Sequence, residues 1–180
     1  MKNFKLLIIS LILLSSCITE MPQAAKDSVV QTVDATQYLG TWYEIARLDH
    51  SFEKGLEQVT ANYSANEDGS IKVINRGYNT EKKQWKEAEG VAKFVDPPNT
   101  DASRTGRLKV SFFGPFYGPY NIIELDKPDY KHAMISGGKD YLWILSRTPE
   151  LSEAIKQTLT TKAKQLGFAT ENLILVKQAN

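Results

Sequence analysis

From Val33 onward the chain breaks into short runs in which apolar and polar residues alternate or β-branched residues cluster. They are Trp42–Leu48, Glu57–Ser64, Ile71–Tyr78, Gln84–Phe94, Arg107–Phe113, Tyr120–Leu125, His132–Ser136 and Leu142–Arg147. A period of two places successive side chains on opposite faces of a strand. Turn-forming residues stand between the runs: Asn66 to Gly69, Pro97-Pro98-Asn99, Gly114-Pro115, Gly118-Pro119, Lys127-Pro128-Asp129 and Gly137-Gly138. Eight such runs at even spacing, with no long crossover between them, predict an all-β fold: an eight-stranded up-and-down antiparallel β-barrel, whose closure removes exposed edges. The period then changes. Leu151, Ile155, Leu159, Ala163 and Leu166 share one helical face, Thr148-Pro149-Glu150 supplies a start and Gly167 a stop, which predicts one C-terminal α-helix. Leu173–Val176 reads as an added outer strand.

The first residues carry a different signal. Lys2 and Lys5 precede an apolar run from Leu6 to Leu14, broken only by Ser10 and too short to span a bilayer, as in an export signal. Leu14-Ser15-Ser16-Cys17 resembles the lipobox of bacterial lipoproteins, which implies cleavage before Cys17 and its acylation; an ordinary signal with an incidental cysteine is the alternative. Ile18, where inner-membrane retention uses Asp, points to the outer membrane, with the domain on its periplasmic face. The division expected is a signal peptide over 1–16, a lipidated N-terminus and tether over 17–32, and the barrel domain over 33–180. Cys17 is the only cysteine, so no intrachain disulfide forms. Loss of Lys2 and Lys5 takes the formal charge from +1 to −1, which leaves no electrostatic footprint for nucleic acid.

Three local motifs add a family resemblance. Gly40-Thr41-Trp42 opens the first strand, Asp126 to Tyr130 lies between the sixth and seventh, and Arg147 ends the eighth. With "GTWYEIARLDHSFEKG", "VSFFGPFYGPYN" and "DYLWILSRTPE", these make the chain similar to the lipocalins, most of all to bacterial outer-membrane lipocalins. Asp126 to Tyr130 departs from the family's turn in having Leu125 for Thr and extra residues that include Pro128. The resemblance implies that Gly40, Trp42 and Arg147 are structural, the guanidinium lying on the indole at a closed barrel end.

Setting Trp42 inside assigns the interior by alternation. Glu44 and Ala46 follow it on the first strand. The family register then gives Ala61, Tyr63, Val73, Asn75, Ala88, Val110, Phe112, Tyr120, Ile122, Tyr141 and Trp143 as ligand-binding positions. Val59, Ala92, Leu145 and Glu124 complete the inner face. Small residues among them leave a cavity, against the alternative of a solid barrel. The mouth is expected to carry Phe52, Phe116 and Tyr117 with Lys82, Lys83 and Lys139; a self-packed hairpin tip and merely solvated lysines are the plain alternatives.

Together these readings predict an outer-membrane lipoprotein that binds lysophospholipids or fatty acids in its barrel, for lipid storage or transport in envelope maintenance. It would act without a cofactor, and a homodimer is open to it. No Lys or Arg falls among the inner positions, so the polar headgroup is expected at the mouth. His50 and His132 fall in no metal-ligand spacing, and no metal is expected. The rival reading is an enzyme acting on a lipid through Glu44 and Glu124 as an inward acid–base pair. A third is a structural envelope protein with a solid barrel.

Overall fold

The computed structural model describes residues 20–179. Signal peptide and Cys17 lie outside the described residues. Two short helices, α1 (Gln23–Asp27) and α2 (Ala35–Tyr38), precede the barrel, and a longer one, α3 (Glu153–Gln165), follows it. Eight strands form the barrel: β1 (Gly40–Leu48), β2 (Leu56–Ala65), β3 (Ile71–Asn79), β4 (Gln84–Phe94), β5 (Arg107–Phe113), β6 (Phe116–Leu125), β7 (His132–Gly138) and β8 (Tyr141–Ser146). Each pairs antiparallel with its successor, and β8 returns to β1 to close the wall, as the alternation predicts. A short β9 (Leu173–Leu175) adds outside β1.

Two apolar clusters lie on opposite faces of this wall. The inner one joins Trp42, Tyr63, Val73, Leu108, Ile122, Ile135 and Leu145. In the outer one, Ile45, Ile123, Met134, Leu142 and Ile144 meet Leu159 and Ala163 of α3. The sequence places the start of α3 too early. Ser152 is the cap, its Oγ accepting from the Ile155 amide at 3.3 Å, and Pro149 stays in the preceding turn. Gly167, at φ +93°, ends the helix as expected.

Two local shifts of register correct the assigned interior. Pairing slips between Glu44 and Ala46 on β1, and between Ile122 and Glu124 on β6. Such a slip leaves two consecutive residues on one face and reverses the alternation beyond it. Ala46 therefore packs outward with α3, and Arg47 turns inward, 2% exposed. Glu124 likewise points outward and forms an ion pair with Lys162 of α3.

Within the tether expected over 17–32, the residues described lie against the barrel. Helix α1, a little over one turn long, packs on the outer cluster, with Ala25 fully buried and Val29 6% exposed. The Val30 amide donates to Ile122 O at 3.0 Å, Val30 O accepts from Gly106, and Val33 bridges to Arg104.

The upper wall has a seam between β1 and β2, which pair only from Gly40 to Tyr43 on the β1 side. Gln58, at φ +52°, interrupts β2 there. The segment after β9 fills the gap. The Gln58 amide donates to Lys177 O at 2.7 Å, and Val176 packs on Leu56 and Val59. Gln178 Nε2 donates to Glu44 O at 2.7 Å and to Val59 O at 3.0 Å.

Candidate ligand cavity

The closed end is built first. Gly40 takes φ +93°, which a side chain rarely adopts, and a Cβ there would sit 3.4 Å from Arg147. Trp42 is fully buried and its indole N–H donates to Tyr38 O at 2.9 Å. The Arg147 guanidinium lies over that ring at 3.9 Å and donates to Thr41 O, Gln37 O and Tyr130 O at 3.0, 2.6 and 3.3 Å. Tyr130 is buried and its hydroxyl accepts from the Asp34 amide at 2.9 Å, while Asp126 accepts from the Lys131 amide. Despite its altered sequence, the Asp126–Tyr130 turn thus joins the other two motifs at this end.

Above them opens a cavity of about 960 Å³. Ala61, Tyr63, Val73, Asn75, Ala88, Val110, Phe112, Tyr120, Tyr141 and Trp143 line it, with Glu44, Val59, Ala92 and Leu145. Ile122 does not; it is fully buried in the inner packing. Phe52, Phe116 and Tyr117 stand at the rim, whereas Lys82, Lys83 and Lys139 are exposed and lie off the lining. Phe113 and Phe116 are 84% and 79% exposed, so the β5–β6 tip is not self-packed. Arg76 and Lys86 also line the cavity, which corrects the expectation that no base faces it. Arg76 stacks on Trp85 at 4.1 Å.

Three tyrosines meet at the floor. The Tyr38 and Tyr120 hydroxyl oxygens are 2.7 Å apart, and those of Tyr63 and Tyr120 are 2.9 Å apart. Burial pushes Tyr38 and Tyr120 well above the ordinary phenol range and Tyr63 up to about 12, so all three stay protonated. On the wall, Asn75 faces Ala61 and Ala88 in register, and its buried Oδ1 has no hydrogen-bond partner.

A buried charge network braces the upper wall. Arg47 donates to Glu44 Oε1 at 2.8 Å and to the carbonyls of Glu53 and Leu56 at 3.0 and 3.3 Å, so it holds the β1–β2 loop. Glu53 accepts from the Trp143 indole at 3.0 Å and lies 2.9 Å from His50, which stacks on Phe52. Burial, and next the charge of Glu53, push the Glu44 carboxyl up to about 8 against the pull of Arg47. Alternation misses Arg47, Glu53 and Arg76, whereas Lys86 shares the parity of Ala88 but is not in the assigned inner set; the run of charges in "DHSFEKG" is the one hint of a braced loop that the sequence offers.

Glu44 and Glu124, the candidate acid–base pair, lie on opposite faces of the wall. No cluster of metal-binding side chains occurs among the described residues.

Residues 33–178 match the family model of the lipocalin-like domain. The chain is 55% identical to the outer membrane lipoprotein Blc of Citrobacter freundii over 152 residues, covering 84% of this chain and 82% of that one. It is 50% identical to the protein of that name from Vibrio cholerae over 173 residues, 96% of each. Insecticyanin of the tobacco hornworm Manduca sexta, 20% identical, shares the fold at a TM-score of 0.63, over 91% of this chain and 87% of that one. These similarities, with the barrel, its closed end and its cavity, establish that the chain belongs to the lipocalin family, among its outer-membrane lipoproteins.

Proposed function

We propose that this lipocalin stores or carries monoacyl lipids, lysophospholipids or fatty acids, holding one acyl chain in the barrel with the headgroup at the mouth. The observation that carries this is the single deep cavity among the larger pockets of the described residues, mostly apolar in lining and open at one end. Its volume falls in the range of small-molecule sites, about 300–1,000 Å³. Arg76 and Lys86 stand at the rim, beside Glu87 and Asp140, and can approach an anionic head, phosphate or carboxylate, where water still screens it. A rim of this kind serves a fatty-acid carboxylate as well as a lysophospholipid phosphate.

Competition against a fluorescent fatty-acid probe tests the reading. Lysophosphatidylcholine and palmitate are both expected to displace it, and native mass spectrometry should find one lipid per barrel. Reversing Arg76 and Lys86 to Glu is expected to weaken palmitate about three- to tenfold at low salt, and less at high salt. A neutral monoacylglycerol should be unaffected. Failure of every monoacyl lipid to displace the probe would end the proposal.

The anchor belongs to the same proposal. Lipoprotein processing adds more than one acyl chain to Cys17, which suffices for stable attachment where a single chain does not. Cys17→Ala is expected to move the protein out of the outer-membrane fraction; unchanged fractionation would contradict an anchor at that residue.

A further inference from the structure

A count of hydroxyl groups at the cavity floor bears on which chains the barrel accepts. Tyr38, Tyr63 and Tyr120 bring three O–H groups, and each of the two bonds among them uses one O–H as donor, whichever way it points. One O–H is therefore left over, and no acceptor meets it among the described residues. The surrounding floor is apolar: Ile71, Leu108, Ile135 and Leu145. Arg147, the nearby cation, already donates to three carbonyls beneath Trp42. A carboxylate at this depth would have no free cation to pair with, whereas a neutral acceptor oxygen would complete the set.

We propose that the leftover tyrosine hydroxyl forms a subsite for a neutral oxygen at the far end of the acyl chain, a hydroxyl or a carbonyl. This rests on the proposed entry of the chain tail first. A plain chain brings its methyl end against an O–H that has no acceptor, which is unfavourable. An oxygen-ended chain normally loses affinity in an apolar cavity because that oxygen gives up its water; here it regains a hydrogen bond. The floor thus makes the barrel tolerant of oxidised chains that a dry apolar floor would reject.

The test compares lysophosphatidylcholines with plain, ω-hydroxy and ω-methyl-ketone chains over a graded series of lengths, each displacing a fluorescent fatty-acid probe from the purified protein. At the length that reaches the floor, both oxygenated chains are expected to bind at least as tightly as the plain one. The ketone only accepts, so its retention identifies the protein as donor. In the triple variant Tyr38→Phe, Tyr63→Phe, Tyr120→Phe, the oxygenated chains should fall about tenfold or more behind the plain chain. That variant removes donors and acceptors together with shape preserved, a change that is often nearly neutral for stability. Tyr63→Phe alone leaves two hydroxyls, one bond and one spare O–H, and should keep the wild-type pattern. An oxygen penalty in the wild-type protein as large as in the triple variant overturns the subsite, and so does loss of the wild-type pattern in Tyr63→Phe. If plain chains themselves fail to displace the probe, the proposed function falls and takes the subsite with it.

Discussion

Replacing Trp42 by alanine is expected to destabilise the domain by about 3–5 kcal/mol, the range for truncating a buried large aromatic side chain. The ring is fully buried, and its loss also removes the surface on which Arg147 lies. For a domain of this size the melting temperature should fall by roughly ten degrees. Arg147→Ala should cost less, because the guanidinium is partly exposed, but it leaves the Thr41, Gln37 and Tyr130 carbonyls without their donor. Both effects are on the fold. Lipid affinity of the surviving folded fraction should be unchanged in each variant. A variant that kept its melting temperature and lost affinity would show that the Trp42 or Arg147 side chain itself touches the ligand.

Arg47→Met is expected to have an effect of comparable size, about 1–3 kcal/mol for each buried acceptor left without its donor, the Glu44 carboxyl and the Glu53 and Leu56 carbonyls. Glu44 is 3% exposed and Glu53 6%, and Arg47 is the cation hydrogen-bonded to Glu44 and to the Glu53 backbone. The pH dependence gives an independent check. Glu44 has a folded pKa of about 8 against an ordinary value of 4.5, so between these the folded state holds a proton that the unfolded state releases. Stability from this group is complete below about 4.5, declines as pH rises, and levels off above about 8. Glu44→Gln keeps an acceptor for Arg47 and is expected to flatten that slope in denaturant titrations run across the same interval. An unchanged slope would place the responsible proton elsewhere.

Much of this is open to reading from the chain because the barrel repeats one simple rule. Alternation locates all eight strands, and the motifs at Trp42, Asp126 and Arg147 converge at one end as the family resemblance implies. What alternation cannot see is a slipped residue. The shifts after Glu44 and Ile122 depend on partners across the sheet, and each reverses every later position on its strand. Ala46 and Arg47 exchange faces for that reason, and Glu124 leaves the interior to meet Lys162. Residues 20–32 mislead for a related cause. Met21, Ala25 and Val29 stand four apart, a helical spacing, but in a stretch too short and polar to read as a helix, and what buries them is the outer face of distant strands.

The seam between β1 and β2 ties ligand retention to a part of the chain far from either strand. Gln178 closes it across 134 positions to Glu44 and 119 to Val59. Nothing near the first two strands in sequence can substitute. A chain cut before Val176 would keep every cavity-lining residue and lose the bridge across the seam, so its apolar interior would be open sideways as well as at the rim. Capacity to hold a lipid is thus set by residues that never touch it.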